Sequence, residues 1–289
     1  MWFWYALIAA IISAISVILN KRALKFVGAP LVSWALSAFS IPLLIYPSFS
    51  QGWPKINEIF FIGTVGSSVV FALGKTMSLD SMKKGHLSHI VPLSCFSSLF
   101  TYFFGLIFLQ EYLKPIHVIG LLLILFGTYI LKITEAKEDI LKPFKLLFTN
   151  PISLVYLLSM VLMGASAILD KLGLINVFPS NPYFVLLVEN IIMTMLLTSY
   201  MVKIDKKWVT ELRSSFSFLL VSGLTYSAMV IFLFYGFQSG PTALASGIKK
   251  LEVIFILVLS QIFFQDRPKK EVWVGSLIMI IGAVLIKLT

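Results

Sequence analysis

A single cysteine, Cys95, stands in 289 residues, so no disulfide can form within the chain and a cysteine-held metal cluster is not expected. Histidine is almost as scarce, with three residues. His86 and His89 have a possible metal-pair spacing, yet no further His, Cys or carboxylate cluster completes a site, and they read as interfacial or gate residues. The chain has no Gly-x-x-x-x-Gly-Lys-Ser/Thr segment and no polar stretch long enough to form a nucleotide-binding domain, which argues against ATP-driven pumping. No catalytic cluster or cofactor motif stands out, so the chain is not read as an enzyme and no cofactor or metal is expected. Charged residues make up only 12%, about half the share in a soluble domain.

The remainder is apolar. Hydrophobic residues form 58% of the sequence and the mean hydropathy is +0.95. They fall in runs near 2–19, 31–49, 59–79, 87–109, 116–131, 152–169, 182–202, 216–238, 241–264 and 272–286, each approaching the length that crosses a bilayer as helix. The expected fold is an all-α integral membrane protein of ten transmembrane helices. The first run opens on Met1-Trp2-Phe3-Trp4 without a basic leader and is expected to be a retained span. Runs five and ten are short, and Lys132 and Lys287 are expected to snorkel from their ends. Trp2, Trp4, Tyr5, Trp34, Trp53 and Trp273 lie near predicted span ends as interface anchors.

The chain is internally duplicated. Gly85, Gln110, Gly120, Gly127 and Lys132 recur 155 positions later as Gly240, Gln265, Gly275, Gly282 and Lys287. Ser16 to Lys21 and Leu24 recur 150 positions later as Ser166 to Lys171 and Leu174. The expected units are residues 1–133 and 151–289, with a polar linker at 134–150 closed by Pro151 at a helix start. Five spans is an odd number, so the two repeats must be inverted with respect to each other, as in many secondary transporters. Gly120/Gly127 and Gly275/Gly282 are each seven apart, on one helix face, and suit close helix packing.

The net charge of +10 does not call for nucleic acid, because the basic residues sit in short connections. Connections after odd-numbered spans hold sixteen Lys and Arg, those on the other side four. The positive-inside rule therefore puts the rich side in the cytosol and both termini outside.

Gly85-His86-Leu87-Ser88, Val91-Pro92-Leu93, Phe108-Leu109-Gln110-Glu111 and the Gly120/Gly127 helix, in that order, resemble the EamA repeat of the drug/metabolite transporter superfamily. The second half repeats the pattern as Gly240-Pro241-Thr242-Ala243, Ile248-Lys249-Lys250-Leu251, Phe263-Phe264-Gln265-Asp266 and Gly275/Gly282, with Asp266 in place of the more usual Glu. The resemblance implies a ten-helix basket of two inverted repeats that moves small organic solutes, often amino acids, nucleosides or sugars. Members are usually drawn with cytoplasmic termini, opposite to the charge count.

Lys249, Lys250 and Glu252 fall near the middle of the ninth run, where a charge costs about 2.5–3.5 kcal/mol at a span centre. Lys249 is expected to face a central cavity and attract a carboxylate or phosphate. The alternative makes Lys249–Glu252 and Lys250–Glu189 ion pairs between helices. The first-half counterparts of the three are Ser94, Cys95 and Ser97, so one half alone carries this charge. Asn20 and Asp170 occupy corresponding ends of spans one and six, as contacts at opposite mouths of a pathway or as interfacial turns. Lys75 is expected to snorkel toward Asp80. Pro92 and Gly247 mark similar depths in spans four and nine and are expected hinges, set against an ordinary kink.

The expected activity is secondary transport of a small polar organic solute across the cytoplasmic (inner) membrane, through a cavity lined by spans one, three, four, six, eight and nine. Candidate substrate contacts are Lys249, Lys250, Glu189, Glu252, Asn20, Asp170 and Ser94. The expected partners are the solute, the lipid bilayer and a coupling proton, with no nucleic acid, and the expected state is a monomer or homodimer. The alternative is a flippase for a phosphorylated polyprenyl or glycolipid, with Lys249 and Lys250 guiding the phosphate.

Overall fold

The computed structural model describes residues 1–50, 52–84, 91–136, 149–204, 207–264 and 270–288. Gly85, His86, Ser88, His89, Gln265, Asp266 and most of the linker lie outside the described residues. The helices in chain order are α1 (Trp2–Ala23), α2 (Ala29–Ala38), α3 (Ile41–Phe49), α4 (Glu58–Lys84), α5 (Phe96–Phe104), α6 (Pro115–Ala136), α7 (Pro151–Ile175) and α8 (Pro182–Ile204). They continue as α9 (Trp208–Ser214), α10 (Phe216–Ser239), α11 (Thr242–Lys249), α12 (Glu252–Phe264) and α13 (Lys270–Leu288). Six stretches are long and apolar enough to cross a membrane: Trp2–Ala23, Ala29–Phe49, Glu58–Lys84, Pro151–Ile175, Pro182–Lys203 and Phe216–Ser239. Leu93–Leu109, Pro115–Leu131 and Trp273–Leu288 are shorter apolar helices.

In hydrocarbon a chain must satisfy its own backbone groups, and helices do this within one segment. Their ends carry the matching signals. Pro151 sits at the first position of α7, and the Asn150 side chain accepts from the Ile152 N–H, capping the helix. Lys21 and Arg22 occupy the last turn of α1, where the helix dipole favours cations. Between α2 and α3, Pro42 removes a backbone donor, and the Ser40 hydroxyl donates to the Leu36 carbonyl at 2.6 Å and sits 3.1 Å from the Gly223 carbonyl of α10. At the end of α13, Lys287 lies 4.6 Å from the Trp4 ring centroid and 5.9 Å from that of Phe3, an aromatic landing for a snorkelling cation.

The chief helix pairs are α4 with α7, α6 with α13 and α1 with α10. The duplication exchanges the first and third of these pairs. Glycines set the approach of α6 and α13: a Cβ on Gly127 would lie 2.6 Å from the Gly275 carbonyl, and one on Gly282 2.6 Å from the Gly120 carbonyl. Gly120 faces Gly282 and Gly127 faces Gly275, so these equivalent helices run antiparallel. The segment α2–α3 likewise runs antiparallel to its equivalent, α8. Trp34 donates to Thr198 at 2.8 Å near one end, and Asn181 donates to the Ser48 carbonyl at 2.9 Å near the other. A two-residue antiparallel clasp, β1 (Lys55–Ile56) with β2 (Val177–Phe178), ties the halves at one rim, where Asn57 donates to Asn176 at 2.7 Å.

Attraction between helices in lipid is mainly contact packing, so these glycine approaches matter. Gly127→Leu should destabilise the purified protein by about 1–3 kcal/mol, read as a lower melting temperature, because the backbones must separate. Gly28→Ala, whose Cβ would meet only ring carbon at 3.6 Å, should leave the melting temperature unchanged.

Candidate functional site

The spans corresponding to the fourth and ninth apolar runs are broken rather than bent. The fourth is a 3-10 turn (Val91–Cys95), then α5, then a π-helical turn (Gly105–Leu109). The ninth stops at Lys249, and α12 starts at Glu252. Pro92 lies inside the first break, and Gly247 lies just before the second. Breaks at this depth are tolerated only where the backbone is buried in protein or faces a cavity. A cavity is present, with about 130 Å³ open to water-sized molecules and a mouth to the outside.

Its walls come from α4, α5, α7, α8, α10 and α11. Span seven thus takes the place expected for span one. The reason is that α1 packs chiefly on α10, and its Ser13 hydroxyl donates to Glu252 beside the cavity. On α4, Ser67, Phe71 and Lys75 recur every four residues and present one stripe to the cavity. The α10 wall is almost wholly apolar, with Tyr226 as its polar exception.

Charge is divided between two places. At one, the Ser67 hydroxyl donates to Asp170 and lies 3.3 Å from the Ser166 hydroxyl. The carboxyls of Asp170 and Glu189 both line the cavity there, within electrostatic reach of each other. Two carboxyl groups so placed repel unless a proton or a cation offsets the charge. At the other place, Lys249 Nζ is 3.6 Å from Glu252 Oε2, and Lys250 Nζ donates to the Ser94 carbonyl at 2.8 Å. Lys75 faces the same group, within electrostatic reach of Lys249 and Glu252.

Of the candidates read from the sequence, Lys249, Lys250, Glu189 and Asp170 line the cavity. Glu252 and Ser94 adjoin it as partners of Lys249 and Lys250. Asn20 is buried away from it, and its Oδ1 has no hydrogen-bond partner among the described residues. Two expectations are corrected. Glu189 meets Asp170 and not Lys250, because Lys250 closes α11 against the broken fourth span. Lys75 does not snorkel to Asp80; it lines the cavity, while Asp80 pairs with Lys84 at 2.7 Å. Sequence reasoning missed Ser67, Ser166 and Asn190. Small hydroxyls at Ser67 and Ser166 are too common in membrane helices to stand out, although Ser166 sits in the duplicated segment.

A second polar cluster closes the acidic end. Gln110, at φ 54°, turns the chain after the π-helical segment and delivers Glu111 to the start of α11. Glu111 accepts from the Thr242 N–H at 2.8 Å and the Thr242 hydroxyl at 2.9 Å, a carboxylate on the positive end of a helix. Lys171 Nζ lies 3.8 Å from Glu111 Oε1 and donates to the last carbonyls of α10, Phe237 and Gly240. Four segments from both halves are tied by this lock.

The model of the EamA-like transporter family matches the chain twice, over residues 1–133 and 150–288. A protein of known crystal structure is similar over 99% of this chain and 95% of its own, with a TM-score of 0.71 and 12% identity, which is a likeness of fold. No curated protein matches the sequence.

Removing the lock's carboxylate should free the start of α11. Glu111→Ala should raise amide hydrogen exchange at residues 242–249 by about tenfold, in line with a lost helix cap. Glu111→Gln, which keeps an acceptor, should raise it less. Unchanged exchange in Glu111→Ala would show that Glu111 does not hold this helix.

Proposed function

Because the chain belongs to the EamA-like transporter family, we propose that it is a secondary transporter of a small polar organic solute across the cytoplasmic membrane, working by alternating access to the central cavity. The observation that carries this is the cavity wall: Lys75, Lys249, Lys250, Asp170 and Glu189 converge in a chain with only 12% charged residues. A charge at a span centre costs about 2.5–3.5 kcal/mol, and charges so placed mark solute paths or internal pairs. Only part of this set is used internally, since Lys249 has Glu252 and Lys250 has the Ser94 carbonyl.

In this reading the chain holds ten spans in two inverted five-span repeats, residues 1–133 and 151–289. The antiparallel course of α6 against α13, and of α2–α3 against α8, supports the inversion. Lys249 and Lys75 take an anionic group of the solute, and Pro92 and Gly247 are the hinges at the two broken spans. The Glu111–Lys171–Thr242 lock closes one mouth of the pathway. A solute or proton gradient supplies the driving force.

Counterflow in proteoliposomes, with a panel of amino acids, peptides, nucleosides and organic acids, tests the reading. At least one solute should exchange, and Lys249→Gln and Lys75→Gln should each slow its exchange about tenfold or more. Lys84→Gln, at an exposed pair with Asp80, should not slow it. Exchange that is indifferent to both cavity lysines would contradict the assignment, and movement of polyprenyl phosphates alone would support the flippase.

A further inference from the structure

We propose that the cavity selects solutes with an ammonium group at one end and a carboxylate or phosphate at the other, separated by about the length of a short peptide. The inference rests on the transporter reading above and specifies the substrate class of the same site.

The stripe on α4 supplies the scale. Ser67 stands at the acidic group and Lys75 at the basic group, eight residues apart, which is roughly 12 Å along a helix. Each group is organised around its own members. Asp170 accepts from Ser67 and lies within electrostatic reach of Glu189, whereas Lys75 is influenced by Lys249 and Glu252. Carboxyl groups gather at one pole and lysine side chains at the other. Three lysines stand against Glu252 at the basic pole. Lys171, next to Asp170 in the chain, is turned into the lock with Glu111 and the carbonyls at the end of α10.

Unused hydrogen-bonding groups lie at the acidic pole. Glu189 Oε1 and Asn190 Nδ2 have no hydrogen-bond partner among the described residues, although their side chains are 5% and 1% exposed and both residues line the cavity. An ammonium supplies the donor that Glu189 lacks, and a neighbouring carbonyl of the solute supplies the acceptor for Asn190. Phe71 lies between Ser67 and Lys75 on the α4 stripe, and Met163, Met193 and Leu233 add apolar wall. The middle of the ligand is therefore a carbon chain or small side chains.

The reach of the side chains and hydrogen bonds of about 3 Å at each end leave the solute less than the backbone rise along α4 to span. An α-amino acid carries both charges on one carbon and reaches one pole at a time. A diamine or a dicarboxylate brings a like charge to the opposite pole, which is a repulsive element against it.

The test is binding to the purified protein, by thermal shift and titration, of 6-aminohexanoate, trialanine and 5-aminopentyl phosphate, against alanine, putrescine and glutarate. At least one of the first three should bind about tenfold or more tightly than each of the last three, as expected for a second charged hydrogen bond. Carboxylate and phosphate members separate the two kinds of anionic end. Asp170→Asn should abolish the preference over glutarate, and Lys249→Gln the preference over putrescine. Glu189→Gln serves for the acidic pole if Asp170→Asn does not fold. Equal binding of alanine and the long solutes, equal weakening of all ligands by the variants, or no binding by any member overturns the inference. Counterflow in the same preparations keeps the two ideas apart, because vesicles that exchange alanine or another solute freely retain the transporter reading while this one falls.

Discussion

A chain dissolved in lipid cannot leave a carbonyl or an N–H open, so every helix break must be answered by another part of the protein. The contact between Lys250 and the Ser94 carbonyl is the central case. The 3-10 turn Val91–Cys95 opens the hydrogen-bond ladder of the fourth span, and a lysine at the break of the ninth span fills it. Lys171 performs the same service for Phe237 and Gly240 at the end of α10, and Glu111 serves the Thr242 N–H at the start of α11. Lys250, Lys171 and Glu111, three charged side chains of this sparsely charged sequence, thus serve the places where helices stop.

The duplication gives a symmetric scaffold with an asymmetric interior. Pairs of equivalent helices, α6 with α13 and α2–α3 with α8, build the frame around glycine contacts and short polar bridges. Charge follows no such rule. Lys249, Lys250 and Glu252 replace Ser94, Cys95 and Ser97, and the acidic pair Asp170 and Glu189 belongs wholly to the second half. Among the described residues, Lys75 is the first half's one charged group on the cavity wall, while α10 presents an almost wholly apolar face. A frame of paired equivalent helices thereby holds an asymmetric interior.

Much of the frame was legible in the sequence because it rests on length, hydropathy and recurrence. Apolar runs of span length, Pro151 at a helix start and the spaced glycines each express a local rule that lipid enforces. Lys249 and Glu252, three apart in the chain, still pair at 3.6 Å across the break between α11 and α12. What was not legible depends on which faces meet. Lys75 could be read as snorkelling because its distance from a span end is known from sequence and its direction is not. Glu189 was assigned to Lys250 by depth alone, although α8 turns it toward Asp170. Span seven replaced span one on the cavity wall for the same reason. The β1–β2 clasp is two residues per strand, too short for any periodicity to announce it.

The most direct measurement of the central claim, a cavity reached from the two sides of the membrane in turn, uses the lone cysteine. In a Cys95→Ser background, Ser246→Cys places one thiol on the cavity wall. A membrane-impermeant thiol reagent applied separately to each face of oriented vesicles should label it from one face while the Glu111–Lys171–Thr242 lock is intact. Addition of Glu111→Ala should bring labelling from the opposite face. A thiol that no reagent reaches from either face, with or without the lock, would contradict the account.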